Sequence, residues 1–230
     1  MSSPPLSVPL SKTAESLRRK LLAEIIGTFF LVFAGTGAIV VNDVSGGLIT
    51  HVGVALTFGL VVTSLIYTIG DISGCHLNPA VTFGFVLAGR FPAARLLAYV
   101  ASQICGAILA SALLQLLFPI HPHLGGTHPA GSSQQSFILE CVITLFLMFV
   151  ILNVSHGANE SGLLAGVAVG AVIAVVALFA GPICGASMNP ARSIAPALLS
   201  NKYTDLWIYC TAPVVGAASA VALYRAVRAN

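Results

Sequence analysis

Six mainly apolar stretches recur along the chain, at residues 21–41, 48–70, 93–118, 136–154, 162–180 and 206–224. Each reaches the roughly 17 to 25 residues that an α-helix needs to cross a hydrocarbon core. Two further apolar stretches, 78–87 and 189–199, are too short to cross. They read as re-entrant half-helices, because irregular backbone at membrane depth is tolerated only where protein buries it or a watery cavity meets it. The pattern therefore predicts an all-α membrane protein with six transmembrane helices and two half-helices.

The polar interruptions carry as much information as the apolar blocks. Each short stretch opens on Asn-Pro-Ala, at Asn78, Pro79 and Ala80 and again at Asn189, Pro190 and Ala191, each time four residues after a glycine. Proline suits the first turn of a helix, where its missing N–H costs nothing, and the preceding asparagine can cap that turn. Pro79 and Pro190 are thus expected to start the half-helices.

The motif belongs to a longer internal repeat. Asn78 and Asn189 are 111 positions apart, and Tyr99/Tyr209 and Gly106/Gly216 are each 110 apart. Upstream, Glu24 in A-E-I-I-G-T-F-F-L-V-F corresponds to Glu140 in L-E-C-V-I-T-L-F-L-M-F at an offset of 116. Repeat one is read as 21–118 and repeat two as 136–228, joined by a loop at 119–135, in a single domain 21–228 behind a polar tail 1–20. Each repeat holds three spans, an odd number, so the second copy must enter the membrane inverted. The two half-helices then come from opposite faces and meet N-terminus to N-terminus near the midplane.

Composition agrees with this map and closes off alternatives. The 230 residues are 57% hydrophobic and only 7% charged, with a mean hydropathy of +0.96, far from the roughly 25% charged residues of soluble domains. Residues 1–20 hold Pro4, Pro5 and Pro9 and no apolar core, so they are not a signal peptide. Cys75, Cys105, Cys141, Cys184 and Cys210 stand singly, without metal-ligand spacing or a disulfide framework. No cofactor and no nucleic acid is called for. Lys12, Arg18, Arg19, Lys20, Arg90, Arg95, Arg225 and Arg228 fall on one side of the membrane in this topology, against Arg192 and Lys202 on the other. The positive-inside rule then places both termini in the cytoplasm, the 119–135 loop outside, and a short loop at 155–161 inside.

The expected chemistry follows from the half-helix ends. Each carries about half a positive charge at its N-terminus, and the Asn78 and Asn189 amides add N–H donors. Cations are repelled, and a passing water must offer its oxygen to both amides, which breaks a proton wire while water still moves. A bare ion entering low dielectric faces a cost on the order of 20 kcal/mol in the Born limit.

These residues resemble the major intrinsic proteins, the aquaporins and aquaglyceroporins. The resemblance covers roughly residues 21–228 and rests on A-E-I-I-G-T-F-F-L-V-F, both N-P-A boxes, Arg192 after the second box, and the late W-I-Y followed by Pro213 and Gly216. It implies the aquaporin fold and a homotetramer in which every subunit carries its own pore. It also implies a selectivity filter outward of the boxes, matched by Arg192 and, on the family's spacing, by Phe58, Ala177 and Ala186. Water-selective members usually carry His where Ala177 stands, so the filter should be wider and more apolar on that side, closer to the glycerol-passing type. Ser193 departs from the Asp typical of aquaglyceroporins at that place. The runs S-N-K-Y-T-D-L-W-I-Y and L-I-Y-T-I-G-D-I-S-G-C-H-L-N-P-A are similar to the plant nodulin-type intrinsic proteins and their bacterial relatives, a branch associated with glycerol, urea and undissociated metalloid acids. The expected partners are water, small neutral solutes and the bilayer of a cell or plasma membrane.

Several residues have two readings. Glu24 and Glu140 are ionisable groups inside spans; a proton relay is one role, and accepting backbone N–H groups from the irregular chain before each half-helix is the favoured one. His76 beside the first box could orient that loop or gate it. His121, His123 and His128 read as a solvated loop rather than a metal site, and Cys75 and Cys184 as small fillers rather than reactive thiols. Gly166 to Gly170 and Gly216 to Ala220 allow close helix packing. Besides a passive channel for water and small uncharged solutes, the chain admits a strictly water-selective channel, a coupled secondary transporter, or a closed-pore structural protein. An enzyme is not indicated, because no nucleophile with a base and no carboxylate pair falls at a plausible cleft.

Overall fold

Where the apolar blocks were expected to be helical, the computed structural model forms α-helices, and it describes residues 10–155 and 159–228, with side chains over 16–155 and 164–228. In chain order these are α1 (Leu10–Val44), α2 (Thr50–Ser73), α3 (Pro79–Leu87), α4 (Leu96–Leu117), α5 (Ser133–Val154), α6 (Asn159–Cys184), α7 (Pro190–Ser200) and α8 (Leu206–Arg228). A 3₁₀ turn, Ala93–Arg95, leads into α4. Six of the helices are long and apolar enough to span a bilayer, whereas α3 and α7, with 9 and 11 residues, are not. At 1.5 Å per residue such short helices reach about half of a roughly 30 Å hydrocarbon core.

Two boundaries differ from the sequence reading. Helix α1 starts at Leu10, so residues 10–20 of the expected tail are helical; residues 1–9 lie outside the described residues. The physical reason is that the stretch after Pro9 holds Lys, Ala, Glu, Leu and Arg, good helix formers without a breaker. Hydropathy ends at the membrane boundary, but a helix need not. The expected inner loop 155–161 falls partly outside the described residues, at 156–158, and α6 begins at Asn159, ahead of the expected 162.

Packing shows the inverted repeat. Helix α1 packs on α2 and α4, just as α5 packs on α6 and α8, and α2 meets α6 between the halves. The half-helices are exchanged: α3 packs on α8 of the second repeat and α7 on α4 of the first. Close approach within each repeat depends on glycine at paired places. A Cβ on Gly106 would strike the carbonyl of Ile25, and one on Gly216 the carbonyl of Cys141. Without a hydrophobic drive between helices in lipid, such backbone contact is what association relies on.

The outer faces are apolar. Leu60, Leu97 and Leu116 are largely exposed, as side chains facing acyl chains should be. Hydroxyls on these faces turn inward along their own helices: Ser64 donates to the Leu60 carbonyl, Thr211 to Trp207 and Ser219 to Val215. Each is a local bond that leaves no bare polar group toward hydrocarbon.

The ends of the half-helices mark the two ends of the bundle. Arg225 donates to the Leu87 carbonyl at the end of α3, and Arg90 just beyond α3 bonds Leu152 O and the Tyr224 hydroxyl, so α3 finishes at the end that carries the chain termini. Helix α7 finishes at the opposite end, beside the loop between α4 and α5, where Gln115 donates to Leu199 O.

Candidate functional site

Both half-helices are started by the predicted residues. Asn78 and Asn189 are extended N-cap residues, and proline occupies the first turn of each helix. The Asn78 Oδ1 accepts from Ala80 N at 2.8 Å, and the Asn189 Oδ1 accepts from Ala191 N at 3.0 Å and Arg192 N at 3.4 Å. With each oxygen committed to its own helix, the nitrogens are left to face elsewhere.

One hydrogen of each amide crosses to the other repeat. Asn78 Nδ2 donates to Met188 O at 2.7 Å, and Asn189 Nδ2 donates to Leu77 O at 2.9 Å. The two boxes therefore clasp each other, and each amide keeps one further N–H. This reciprocal pairing is absent from the sequence reading, which gave the amides wholly to the passing solute. It became possible because Leu77 and Met188 take left-handed conformations, φ 52° for both, as do Cys75 and Ala186 two residues earlier. The matched backbone lies 111 positions apart, like the boxes.

These irregular loops find their hydrogen-bond partners in the buried carboxylates. Glu24 accepts from His76 N, Leu77 N, the Ser73 hydroxyl and Gln103 Nε2, at 2.7 to 3.0 Å. Glu140 accepts from Ser187 N at 2.7 Å and Met188 N at 2.8 Å. Both are fully buried. An unpaired buried N–H is costly, and a carboxylate that takes several of them rigidifies the segment that carries them.

The two repeats secure their loops with different chemistry at matched positions. His76 Nδ1 lies 3.2 Å from the Thr82 hydroxyl, and its ring packs against Phe85, Phe91 and Tyr99. In the second repeat the Ser187 and Ser193 hydroxyls meet at 2.6 Å, and Ser193 also receives the Thr127 hydroxyl at 2.8 Å. Ser193 thus ties the α4–α5 loop to the second box. Gln103, Thr127 and Ser187 escaped the sequence reading, although a glutamine inside an apolar span is itself a signal.

A cavity of about 150 Å³ passes the boxes, with Asn78, Asn189, Leu77 and Met188 in its wall. Toward the α4–α5 loop its wall includes Phe58, Ala177, Ala186 and Arg192, the four residues expected to lie together; toward the termini it includes Phe85, Val154 and Ser155. Cys75 and His76 also line it, whereas Cys184 is buried outside it. Phe58 lies over Gly35, whose missing side chain makes room for the ring. The Arg192 guanidinium carbon stands 5.3 Å from the Phe58 ring centre, so a cation and an aromatic ring share one side. Ala177 and Ala186 bring only methyls to the same cavity.

Arg192 is nearly completely buried. Its Nη1 donates to Gly125 O at 2.9 Å, while Nε is buried without a protein partner. A cationic side chain held at this depth by one carbonyl retains donors for something that enters the cavity.

In the α4–α5 loop His123 and His128 lie with ring centres 5.4 Å apart and planes tilted by 34°, His121 sits on Asp43, and no group of three metal-capable side chains comes together among the described residues. Lost hydration, then the positive neighbours His128 and Lys202, hold His123 below the ordinary imidazole range.

Known proteins share this architecture. The family model described as Major intrinsic protein matches residues 11–224. The chain is 50% identical over 211 residues to aquaporin NIP1-3 of Oryza sativa subsp. japonica, spanning 91% of this chain and 74% of that protein. It is 47% identical over 211 residues to nodulin-26 of Glycine max, spanning 91% and 78%. The X-ray structure of the aquaglyceroporin from Plasmodium falciparum aligns with a TM-score of 0.84 at 27% identity, over 93% of this chain and 97% of that one. Two boxes clasped at the centre of an inverted six-span repeat, together with matches over nine-tenths of the length, establish that the chain belongs to the major intrinsic protein family.

Proposed function

We propose that this multi-pass membrane protein, a channel for water and small neutral solutes and not an enzyme, admits glycerol and urea as well as water, with undissociated metalloid acids in the same size and charge class. The observation that carries this range is the filter wall: Phe58, Arg192, Ala177 and Ala186 line one cavity, Arg192 lies beside the Phe58 ring, and the two alanines bring only methyls to it. The ring and methyls suit a carbon backbone, and the free Arg192 donors suit hydroxyl or carbonyl oxygens. Selection against charge is assigned to the centre. There the remaining N–H of Asn78 and of Asn189 and two helix N-termini face the passing molecule, an arrangement that favours an oxygen acceptor and disfavours a cation.

In this reading both termini are cytoplasmic, since Arg90, Arg225 and Arg228 cluster at the termini end while Lys202 lies at the other. The family resemblance supports a homotetramer with one pore per subunit, in the cell or plasma membrane. Glu24 and Glu140 act as loop supports and carry no proton across, because their oxygens are taken up by loop donors.

A coupled transporter is the competing class, and it needs a titratable or ion-coordinating group at the solute site. Labelled glycerol uptake into proteoliposomes, with all ion gradients collapsed by ionophores, separates the two. The channel reading expects uptake at the same rate as before collapse; uptake that stops with the gradients contradicts it.

A further inference from the structure

Arg192 Nη1 is held by one carbonyl, and the turn that carries this carbonyl, closed by Gly126 N donating to His123 O at 2.8 Å, is also bonded to one imidazole. Gly125 O, which holds Arg192 Nη1, belongs to a turn in which Leu124 and Gly125 are both left-handed, φ 48° and 69°. A leucine there is strained. Its side chain is buried, and a Cβ on Gly125 would come within 2.6 Å of Thr36 O, so the segment is pressed against α1. Across the start of this turn lies His121. Its Nδ1 receives Leu124 N at 2.9 Å, with His123 N at 3.4 Å, and its Nε2 faces Asp43 Oδ2 on α1 at 3.2 Å.

These contacts fix the proton. A backbone amide only donates, so Nδ1 must be bare and the hydrogen must sit on Nε2, pointing at the Asp43 carboxylate. The His121 side chain is only 5% exposed, whereas that of Asp43 is 54% exposed.

We propose that His121 is a positioning residue for Arg192: in its neutral form with hydrogen on Nε2 it holds the Leu124–Gly125 turn, and through Gly125 O it holds the guanidinium in place. A second proton has only Nδ1 to go to. It removes the acceptor for Leu124 N and sets two donors against each other, while strengthening the attraction to Asp43. The ring is then drawn toward α1 and solvent, and the turn that carries Gly125 O is released. The other charged or titratable groups at this end include His51 at the start of α2, which meets Leu178 O, His123 and His128 in the loop, Lys202 and Tyr203 after α7, and Asp205, which accepts from the Ser133 hydroxyl; none of them accepts from Leu124 N. This inference rests on the reading of Arg192 as a filter residue.

The test uses full-length protein in liposomes and glycerol flux measured from about pH 8 to about pH 5, the interval in which imidazoles commonly change charge. Wild-type flux is expected to fall several-fold on acidification. His121→Asn keeps an acceptor where Nδ1 stands and cannot take a proton, so its flux should stay at the high-pH level throughout. His121→Ala should be low at both ends. A wild-type flux that does not change with pH, or a His121→Asn profile that follows the wild-type one, overturns the proposal. Nitrogen NMR of His- and Arg-labelled protein supplies a readout independent of flux: a bare Nδ1 on His121 at high pH, and an Arg192 signal that shifts on acidification in wild type but not in His121→Asn. If wild-type vesicles pass no glycerol at any pH, the glycerol-passing reading fails, and the NMR titration still decides the role of His121. An Arg192 signal that shifts equally in both proteins counts against it.

Discussion

In the proposed reading, Ala177 is the residue on which solute choice turns most sharply. It lines the same cavity as Arg192 and Phe58, and its methyl takes far less room than an imidazole would. Ala177→His should therefore narrow the filter and add a polar wall, suppressing glycerol flux more than water flux in stopped-flow measurements on vesicles. Equal suppression of both would show that the position does not select by size. Sequence alone made this residue visible only through the spacing of a known family, because an alanine lining a pore and an alanine in a core are chemically the same. Arg192 was legible without that aid, since a fixed cation at membrane depth is costly unless a cavity or partner uses it. Gly125 and Thr127 were not legible at all. What they do depends on where a loop after α4 lands relative to α7, and no local pattern encodes that landing.

At the scale of elements, the half-helices illustrate how much a short motif can specify. Asn at the cap and Pro in the first turn predict where α3 and α7 begin, and both helices begin there. The odd number of spans per repeat predicts inversion, which the exchanged packing of α3 on α8 and α7 on α4 displays. The start of α1 was less legible, because hydropathy reports the membrane boundary and not the end of the hydrogen-bonded helix. Packing within each repeat rests on backbone contact, most tightly at Gly106 on α4 against Ile25 O and at Gly216 on α8 against Cys141 O. Gly106→Val should force α1 and α4 apart, destabilising the fold by at least the roughly 1 to 3 kcal/mol typical of overpacking. The expected outcome is a lower thermal unfolding temperature in detergent and a loss of monodisperse protein on gel filtration. An unchanged melting profile would contradict the close α1–α4 contact.

Over the whole molecule, two constraints act at different depths. The clasp of Asn78 on Met188 O and of Asn189 on Leu77 O holds the centre, with Glu24 and Glu140 supporting its loops from within the spans. The region near Phe58, Ala177, Ala186 and Arg192 is held from the loop end, through Gly125 on Arg192 and Thr127 on the neighbouring Ser193. In the proposed reading, rejection of charge and choice among neutral solutes fall mainly to separate parts of one cavity. Stopped-flow light scattering on reconstituted vesicles, with water and glycerol gradients compared against protein-free vesicles, tests that account most directly. It predicts both water and glycerol permeability well above the protein-free level; glycerol permeability equal to that of empty vesicles, with water permeability high, would contradict it.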